Sequence, residues 1–334
     1  MELDEAQIQV LVSLGKAEND AGATHRAAIE AIGECYRDYR EDWSGAFEAL
    51  VAAGLVDGND QTYSLTDKGR SLAEKYGRER ADMYWYHYQK FYPAAHASPT
   101  HSLFCERVFG KDLCQEGQTD MASLDRLLEL LDLKEHEKVI DLGCGAGVIS
   151  EHISDITGTR VTGVDYAASA IAEADKRTVA KRSRLDFIQG DFSDLSLPAN
   201  TYDVVVAIDT LYWGDILERL FSRLAQALRP GARMGIFLNH EILDGDSEEM
   251  LDARHSELWQ VLSARGYTIE IYDFTRELRE FWQRLHSTTI ELRDAYEAEG
   301  NGFIVDNYLR ESEQDHIPEI EAGRMVRYLY IVQT

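Results

Sequence analysis

Residues 139–148 read VIDLGCGAGV, an apolar run into Asp141 and then glycines at alternate positions, Gly143, Gly145 and Gly147. A glycine-rich turn between a strand and a helix lets backbone pass close to a ligand and aims helix N-terminal N–H groups at it, which suits a nucleoside or its polar tail. Further chemistry-bearing residues follow at the ends of later apolar runs. Asp165, ahead of Tyr166, stands 24 residues after Asp141, where a carboxylate can accept from both ribose hydroxyls, as in dinucleotide folds. Asp191 and Phe192 pair an acceptor for an exocyclic amine with a ring that can stack on a purine. Asp209, Thr210, Tyr212 and Trp213 put polar and aromatic groups where a second substrate would meet the nucleoside. A lone strand-end Asp commonly caps a helix. It is their occurrence in order, one per strand, that argues for a site.

These residues need a scaffold that brings strand ends to one edge. Strand signals at 139–142, 160–164, 185–189, 203–208 and 233–238 alternate with helix signals at 146–157, 167–178, 214–228 and 247–265, with a loop after the third strand. Leu228-Arg-Pro-Gly231 reads as the turn into the fifth strand. That alternation predicts an α/β fold, a doubly wound, mostly parallel sheet whose ligand lies at the carboxyl ends of the strands. A strand at 267–273, a helical charged stretch and a final strand at 325–333 predict an antiparallel edge pair, with 275–318 as a cap over the strand ends. The cap carries Arg276, Arg279, Arg284, Arg293 and Arg310, any of which could meet an acceptor carboxylate.

With 334 residues the chain has room for two domains. A net charge of −26 disfavours nucleic acid and anionic membranes as partners, because such binding rests on phosphate neutralisation by Lys and Arg. No run approaches the length of a membrane span, and residues 1–15 lack the basic and small-residue features of a signal peptide. Cys35, Cys105, Cys114 and Cys144 are scattered without a CxxC pair, which points to free thiols in a reducing cytoplasm.

Residues 1–80 form a separate pattern: helices at 3–15, 25–37 and 43–53, short strands around Leu55-Val56 and Tyr63-Ser64-Leu65, then a helix from Asp67 capped by Thr66. Residues 81–119 are an aromatic linker or lid. Tyr84, Tyr88 and Tyr92 there could pack a core or face a sulfonium cation.

The piece Tyr63-Ser-Leu-Thr-Asp-Lys-Gly-Arg-Ser-Leu72 resembles the wing and last helix of winged-helix proteins. With 16 acidic against 9 basic residues in 1–80, a net of −7, that module has the wrong sign for DNA and reads as a domain that dimerises the chain or covers the substrate. Residues 120–240 resemble the class I S-adenosylmethionine-dependent methyltransferases. The matching pieces are Asp141-Leu-Gly-Cys-Gly-Ala-Gly147, Asp165, Gly190-Asp191-Phe192, Leu197-Pro198, Tyr202-Asp-Val-Val205 and Leu228-Arg-Pro-Gly231. The resemblance implies a seven-stranded sheet with an antiparallel last strand over residues 120–334. It implies S-adenosyl-L-methionine as cofactor, with Gly143, Cys144 and Gly145 near its methionine end, Asp165 at the ribose, Asp191 and Phe192 at the adenine, and the Asp209 backbone beside the methionine. Many small-molecule O-methyltransferases carry an N-terminal domain of this look, and they often place a catalytic His just after the fourth strand. This chain has Thr210-Leu-Tyr-Trp213 there.

Methyl transfer from a sulfonium is an in-line displacement that asks mainly for alignment and exclusion of water. A base is needed only for an acceptor that arrives protonated. Candidates for it are Asp209, Tyr212 and His240, with His255 on the following helix more simply read as solvent-facing. The acceptor, a small molecule, is expected against Tyr88, Tyr92, Tyr212, Trp213 and His240. No metal-ligand spacing stands out around His240-Glu241. Two rival functions are a nicotinamide oxidoreductase and a ligand-sensing winged-helix regulator. The first wants G-x-G-x-x-G, but from Gly143 the sixth position is Val148.

Overall fold

A computed structural model describes residues 3–18, 23–33, 43–59, 61–79, 85–192, 195–211, 214–242 and 245–334. The chain forms two compact units, 1–91 and 92–334. The first contains α1 (Glu5–Ala17), β1 (Thr24–His25), α2 (Arg26–Gly33), α3 (Ser44–Ala52), β2 (Val56–Gly58), β3 (Thr62–Leu65) and α4 (Asp67–Glu79). Its strands lie in the order β1-β3-β2, all antiparallel. The apolar spacing seen in the sequence buries Leu11, Leu14, Trp43, Phe47, Leu50 and Leu65 in one core. Thr66 takes the Gly69 N–H on its hydroxyl at 3.1 Å, the side-chain cap that starts α4. The short strand at Thr24–His25 pairs with β3 where a helix from residue 25 was expected. Residues 34–37 of that expected helix, Cys35 and Tyr84 lie outside the described residues.

The division between the units falls inside α5 (Trp85–Ala97), within the aromatic segment. The second unit continues with α6 (Pro99–Phe109), α7 (Met121–Leu131), β4 (Lys138–Leu142), α8 (Val148–Thr157), β5 (Arg160–Asp165), α9 (Ala168–Arg177), β6 (Leu185–Gln189), β7 (Tyr202–Ile208), α10 (Gly214–Ala227) and β8 (Leu228–Glu241). It ends with α11 (Glu257–Ala264), β9 (Thr268–Asp273), α12 (Thr275–Ala298), α13 (Gly302–Arg310), α14 (Ile317–Glu321) and β10 (Met325–Gln333). The seven strands of its sheet run β6-β5-β4-β7-β8-β10-β9. The first five are parallel, and β10 is antiparallel to both neighbours, so the last strand of the chain slots between β8 and β9.

Central strands buried on both faces explain the near-continuous Val and Ile runs. Val204, Val205, Val206 and Ala207 are all fully buried. On one face α7, α8 and α9 contribute Leu124, Leu127, Ile153 and Ala174; on the other α10 and α11 contribute Leu217, Phe221, Leu258 and Leu262. Each of the Leu, Ile and Phe side chains among them is worth about 1.5–3 kcal/mol on burial.

In the second unit two further elements differ from the sequence expectation. Leu228 to Gly231 begins β8 rather than forming a separate turn. The pairing with β7 slips between Tyr202 and Val204, and Gly231 takes up the irregularity with φ 78°. The expected helix 247–265 is broken into 3-10 turns at Glu248–Leu251 and Ala253–His255, followed by α11. Ser247, Asp252 and Ser256 each accept a backbone N–H two or three residues on, and these local bonds restart the helix instead of continuing it.

Candidate functional site

The stretch between β4 and α8 turns back on itself at the carboxyl edge of the sheet. Gly143 and Gly145 have φ of 75° and 54°, a region L side chains rarely occupy. A Cβ on Gly145 would lie 2.5 Å from the Tyr92 hydroxyl, and one on Gly143 would lie 2.2 Å from Thr210 Cγ2. Only bare backbone fits there. Within the turn, Gly143 and Cys144 N–H both donate to the Val164 carbonyl (2.8 and 3.0 Å), and Gly147 N–H to the Cys144 carbonyl (2.9 Å). The turn therefore works by close approach rather than by presenting those N–H groups.

Asp165 ends β5 beside this turn and is buried. Its carboxylate accepts from Gly145 N–H at 2.8 Å and Ala167 N–H at 2.9 Å, which ties the turn to the next strand end. Asp141 is buried and accepts from Ser150 Oγ at 2.5 Å; burial pushes its pKa up to about 6 against that hydrogen bond. Burial also raises the Cys144 thiol. Tyr166 and Asp191 are half-buried at neighbouring strand ends, and half-buried Phe192 packs on the core beside Leu195. A cavity of about 50 Å³ opens against the turn, lined among others by Tyr92, Gln115, Glu116, Gly143, Gly145 and Ile208.

Residues 139–231, which span this turn, the next three strand ends and the start of β8, match the family described as "Methyltransferase domain". This stretch, 93 of the chain's 334 residues, is similar to that methyltransferase-domain family.

The domain is similar to a sterol 24-C-methyltransferase (ERG6B) of Gibberella zeae, 28% identical over 74% of this chain and 62% of that protein. It is similar to phosphoethanolamine N-methyltransferase 3 of Arabidopsis thaliana, 27% identical over 44% of this chain and 30% of that one. The chain thus spans less than two thirds of the length of these curated relatives. A solved structure of Haemonchus contortus phosphoethanolamine N-methyltransferase 2 with S-adenosylhomocysteine shares the fold: TM-score 0.59, 17% identity, 74% of this chain and 60% of that one covered.

On the acceptor side the structure separates the candidates that sequence had grouped. His240 is buried, its Nε2 2.8 Å from the Tyr330 hydroxyl, its ring parallel to that of Tyr330 and edge-on to Tyr328. Burial drives its pKa down to about 4. It belongs to the face of β8 opposite its neighbour Asn239. Asp209 does not present an uncommitted carboxylate: it pairs with Arg327 at 2.6 Å and accepts from Gln118 N–H and Thr119 Oγ1 at 2.8 and 3.0 Å. Tyr212 and Trp213 lie outside the described residues. Tyr88, in the first unit, sits edge-on to His87. Tyr92 is buried with its hydroxyl over Gly145, and burial raises its pKa well above the usual phenol range.

The cap arginines are mostly spent within the protein: Arg276 on Glu277, Arg284 on Asp120 and the Val108 carbonyl, Arg293 on Glu297, Arg310 on Asp315. Sequence reasoning passed over two residues. Glu116 lines the cavity and accepts from the Tyr308 hydroxyl at 3.1 Å, while Tyr308 stacks on Phe104. Arg327 sits within MVRYLYIVQ, and a charge in so apolar a strand signals a buried partner. Among the described residues no group of three or more His, Cys, Asp or Glu could hold a metal ion, and no helix is long and apolar enough to cross a membrane.

Proposed function

We propose that the protein moves a methyl group from S-adenosylmethionine to a small-molecule acceptor. The observation that carries this reading is the Asp165–Gly145 lock: a side-chain-free turn bonded to a buried strand-end carboxylate, inside the segment that matches the methyltransferase domain. The turn is a cradle that any Cβ would fill, so the residues present fit the cofactor. Gly143, Cys144 and Gly145 would border its methionine end, Asp141 supports the turn from below, and Asp165 is an acceptor-only group suited to two ribose hydroxyls. Tyr166, Asp191 and Phe192 would hold the adenine side. Once bound, the cofactor supplies a methyl already activated by a sulfonium.

The protein's part is to align and to exclude water. Tyr92 closes over Gly145 and keeps the reacting end dry. Where the acceptor arrives protonated, Glu116 is the candidate proton acceptor that lines the cavity, with Tyr308 holding one of its oxygens. The relatives' printed names, a sterol C-methyltransferase and a phosphoethanolamine N-methyltransferase, support a small-molecule acceptor without choosing its atom.

For residues 1–80 we propose a winged-helix-like domain that covers the substrate or homodimerises. The order helix, helix, hairpin, helix after α1 supports it, and the excess of acidic residues speaks against nucleic acid. Unpaired Cys105, Cys114 and Cys144 fit a cytoplasmic location.

Isothermal titration tests the cofactor assignment. S-adenosylhomocysteine should bind the full chain and NADH should not, and Asp165→Ala should weaken S-adenosylhomocysteine at least tenfold. Tight NADH binding alone would end the methyltransferase reading; unchanged affinity in the variant would end the ribose role of Asp165.

A further inference from the structure

We propose that Arg327, on the antiparallel strand β10, is a positioning residue that sets both walls of the methionine end of the cofactor cleft. The inference rests on the S-adenosylmethionine reading above. Arg327 is 1% exposed. Its Nη1 lies 2.6 Å from Asp209 Oδ1 and donates to Asn239 Oδ1 at 2.8 Å, and its Nη2 donates to Thr119 Oγ1 at 2.7 Å. The guanidinium carbon stands 4.7 Å from the centre of the Phe237 ring. One planar fork thus fixes β7, β8 and the segment ahead of α7 together.

Two consequences reach the cleft. Asp209 holds φ 57°, a left-handed conformation costly for a residue with a Cβ unless its surroundings impose it. From that corner Thr210 turns back, donates its hydroxyl to the Leu142 carbonyl at 2.9 Å and presses its methyl against Gly143. The other oxygen of Asp209 takes Gln118 N–H, and a Cβ on the intervening Gly117 would lie 3.0 Å from it. Gln115 and Glu116, directly before Gly117, line the cavity. The Asp209–Thr210 wall and the 115–116 wall therefore hang on the same ion pair. Gln118 Oε1 extends the tie to the cap, accepting from Asn239 Nδ2 at 2.7 Å and Trp282 Nε1 at 3.1 Å.

A buried ion pair adds little net stability over an apolar pair of similar volume, whereas breaking one side of it leaves a buried charge. The informative variants are accordingly Arg327→Lys, which keeps the charge and loses the fork, and Asp209→Asn with Arg327→Met, which removes both charges and leaves a residue tolerant of positive φ at 209. Each is titrated as the full chain with S-adenosylhomocysteine and with 5′-methylthioadenosine, which lacks the amino-acid end, and its melting temperature is recorded. The expected result is at least tenfold weaker S-adenosylhomocysteine binding in both variants, with 5′-methylthioadenosine within threefold of wild type. Wild-type affinity for S-adenosylhomocysteine in either folded variant overturns the proposal, and so does parallel weakening of the two ligands. Failure of both variants to fold assigns the pair to the folding core and overturns it too. A wild-type chain that binds neither ligand would instead mark the failure of the cofactor assignment itself.

Discussion

At the scale of single residues, the glycine turn is fixed by neighbouring backbone, while the acceptor-side candidates are held by contacts from distant strands. Gly143, Gly145 and Asp165 are constrained by local backbone: a left-handed turn needs Gly, and a strand end beside it needs an acceptor, so type and spacing suffice to find them. His240 had the right type and position after a strand, yet its bond to Tyr330 depends on β10 being threaded next to β8, a non-local fact. Glu116 left no local signature. It reaches the cleft because Gly117 to Thr119 are drawn onto Asp209, and Tyr308, nearly two hundred residues away, steadies it. Glu116→Gln is isosteric, so it should leave S-adenosylhomocysteine affinity within threefold of wild type. Transfer of labelled methyl to the acceptor in a metabolite extract should slow by at least tenfold, the usual scale of a lost proton-transfer group. An unaltered transfer rate at neutral pH would remove Glu116 from the chemistry.

At the scale of elements, alternation of strand and helix gave the parallel part of the sheet, because each crossover is a local pattern repeated. The antiparallel pairing of β9 with β10 was expected from the order of the tail's elements, but nothing in MVRYLYIVQ states that β10 also lies against β8. The segment 247–265 shows apolar periodicity outweighing a signal that was present, since Ser247, Asp252 and Ser256 are three cap-type residues within ten positions. Ser256 is the decisive one. Its hydroxyl oxygen accepts from Trp259 N–H at 3.0 Å, starts α11, donates to the Ala253 carbonyl at 2.8 Å and stands 3.2 Å from the Tyr330 hydroxyl. Ser256→Ala should cost about 1 kcal/mol, the ordinary value of an N-cap. The change should appear as a lower urea midpoint with an unchanged slope. A midpoint equal to wild type would show that α11 is held by Leu258 and Leu262 alone.

At the scale of the whole molecule, burial pushes three imidazoles, His101, His240 and His316, down to about 4, and the first two lie in the core. His101, fully buried on α6, has Nδ1 2.9 Å from the Tyr296 hydroxyl and Nε2 3.4 Å from Cys105 Sγ; His240 is buried on β8 against Tyr330. Burial lowers both to about 4, from an unfolded value near 6.5. Each is therefore neutral in the native state at pH values where the unfolded chain would take up a proton. The stability that neutrality contributes is complete above about pH 6.5 and is lost as the pH falls toward 4, on the order of 3 kcal/mol for each ring. The acidic surface does not reproduce this effect, because carboxylates with ordinary values titrate mostly below pH 5. The wild-type urea midpoint should thus fall between pH 7 and pH 5, the imidazoles outweighing the smaller opposite contribution of buried Asp141, whose native value of about 6 lets it protonate in that interval. His240→Asn, which keeps a polar side chain beside Tyr330 and cannot be protonated, should start lower at pH 7 and decline less steeply over the same interval. Parallel curves for the two proteins would mean that His240 is already charged, or exposed, in the native state, and the packing of Tyr328 and Tyr330 around it would have to be redrawn.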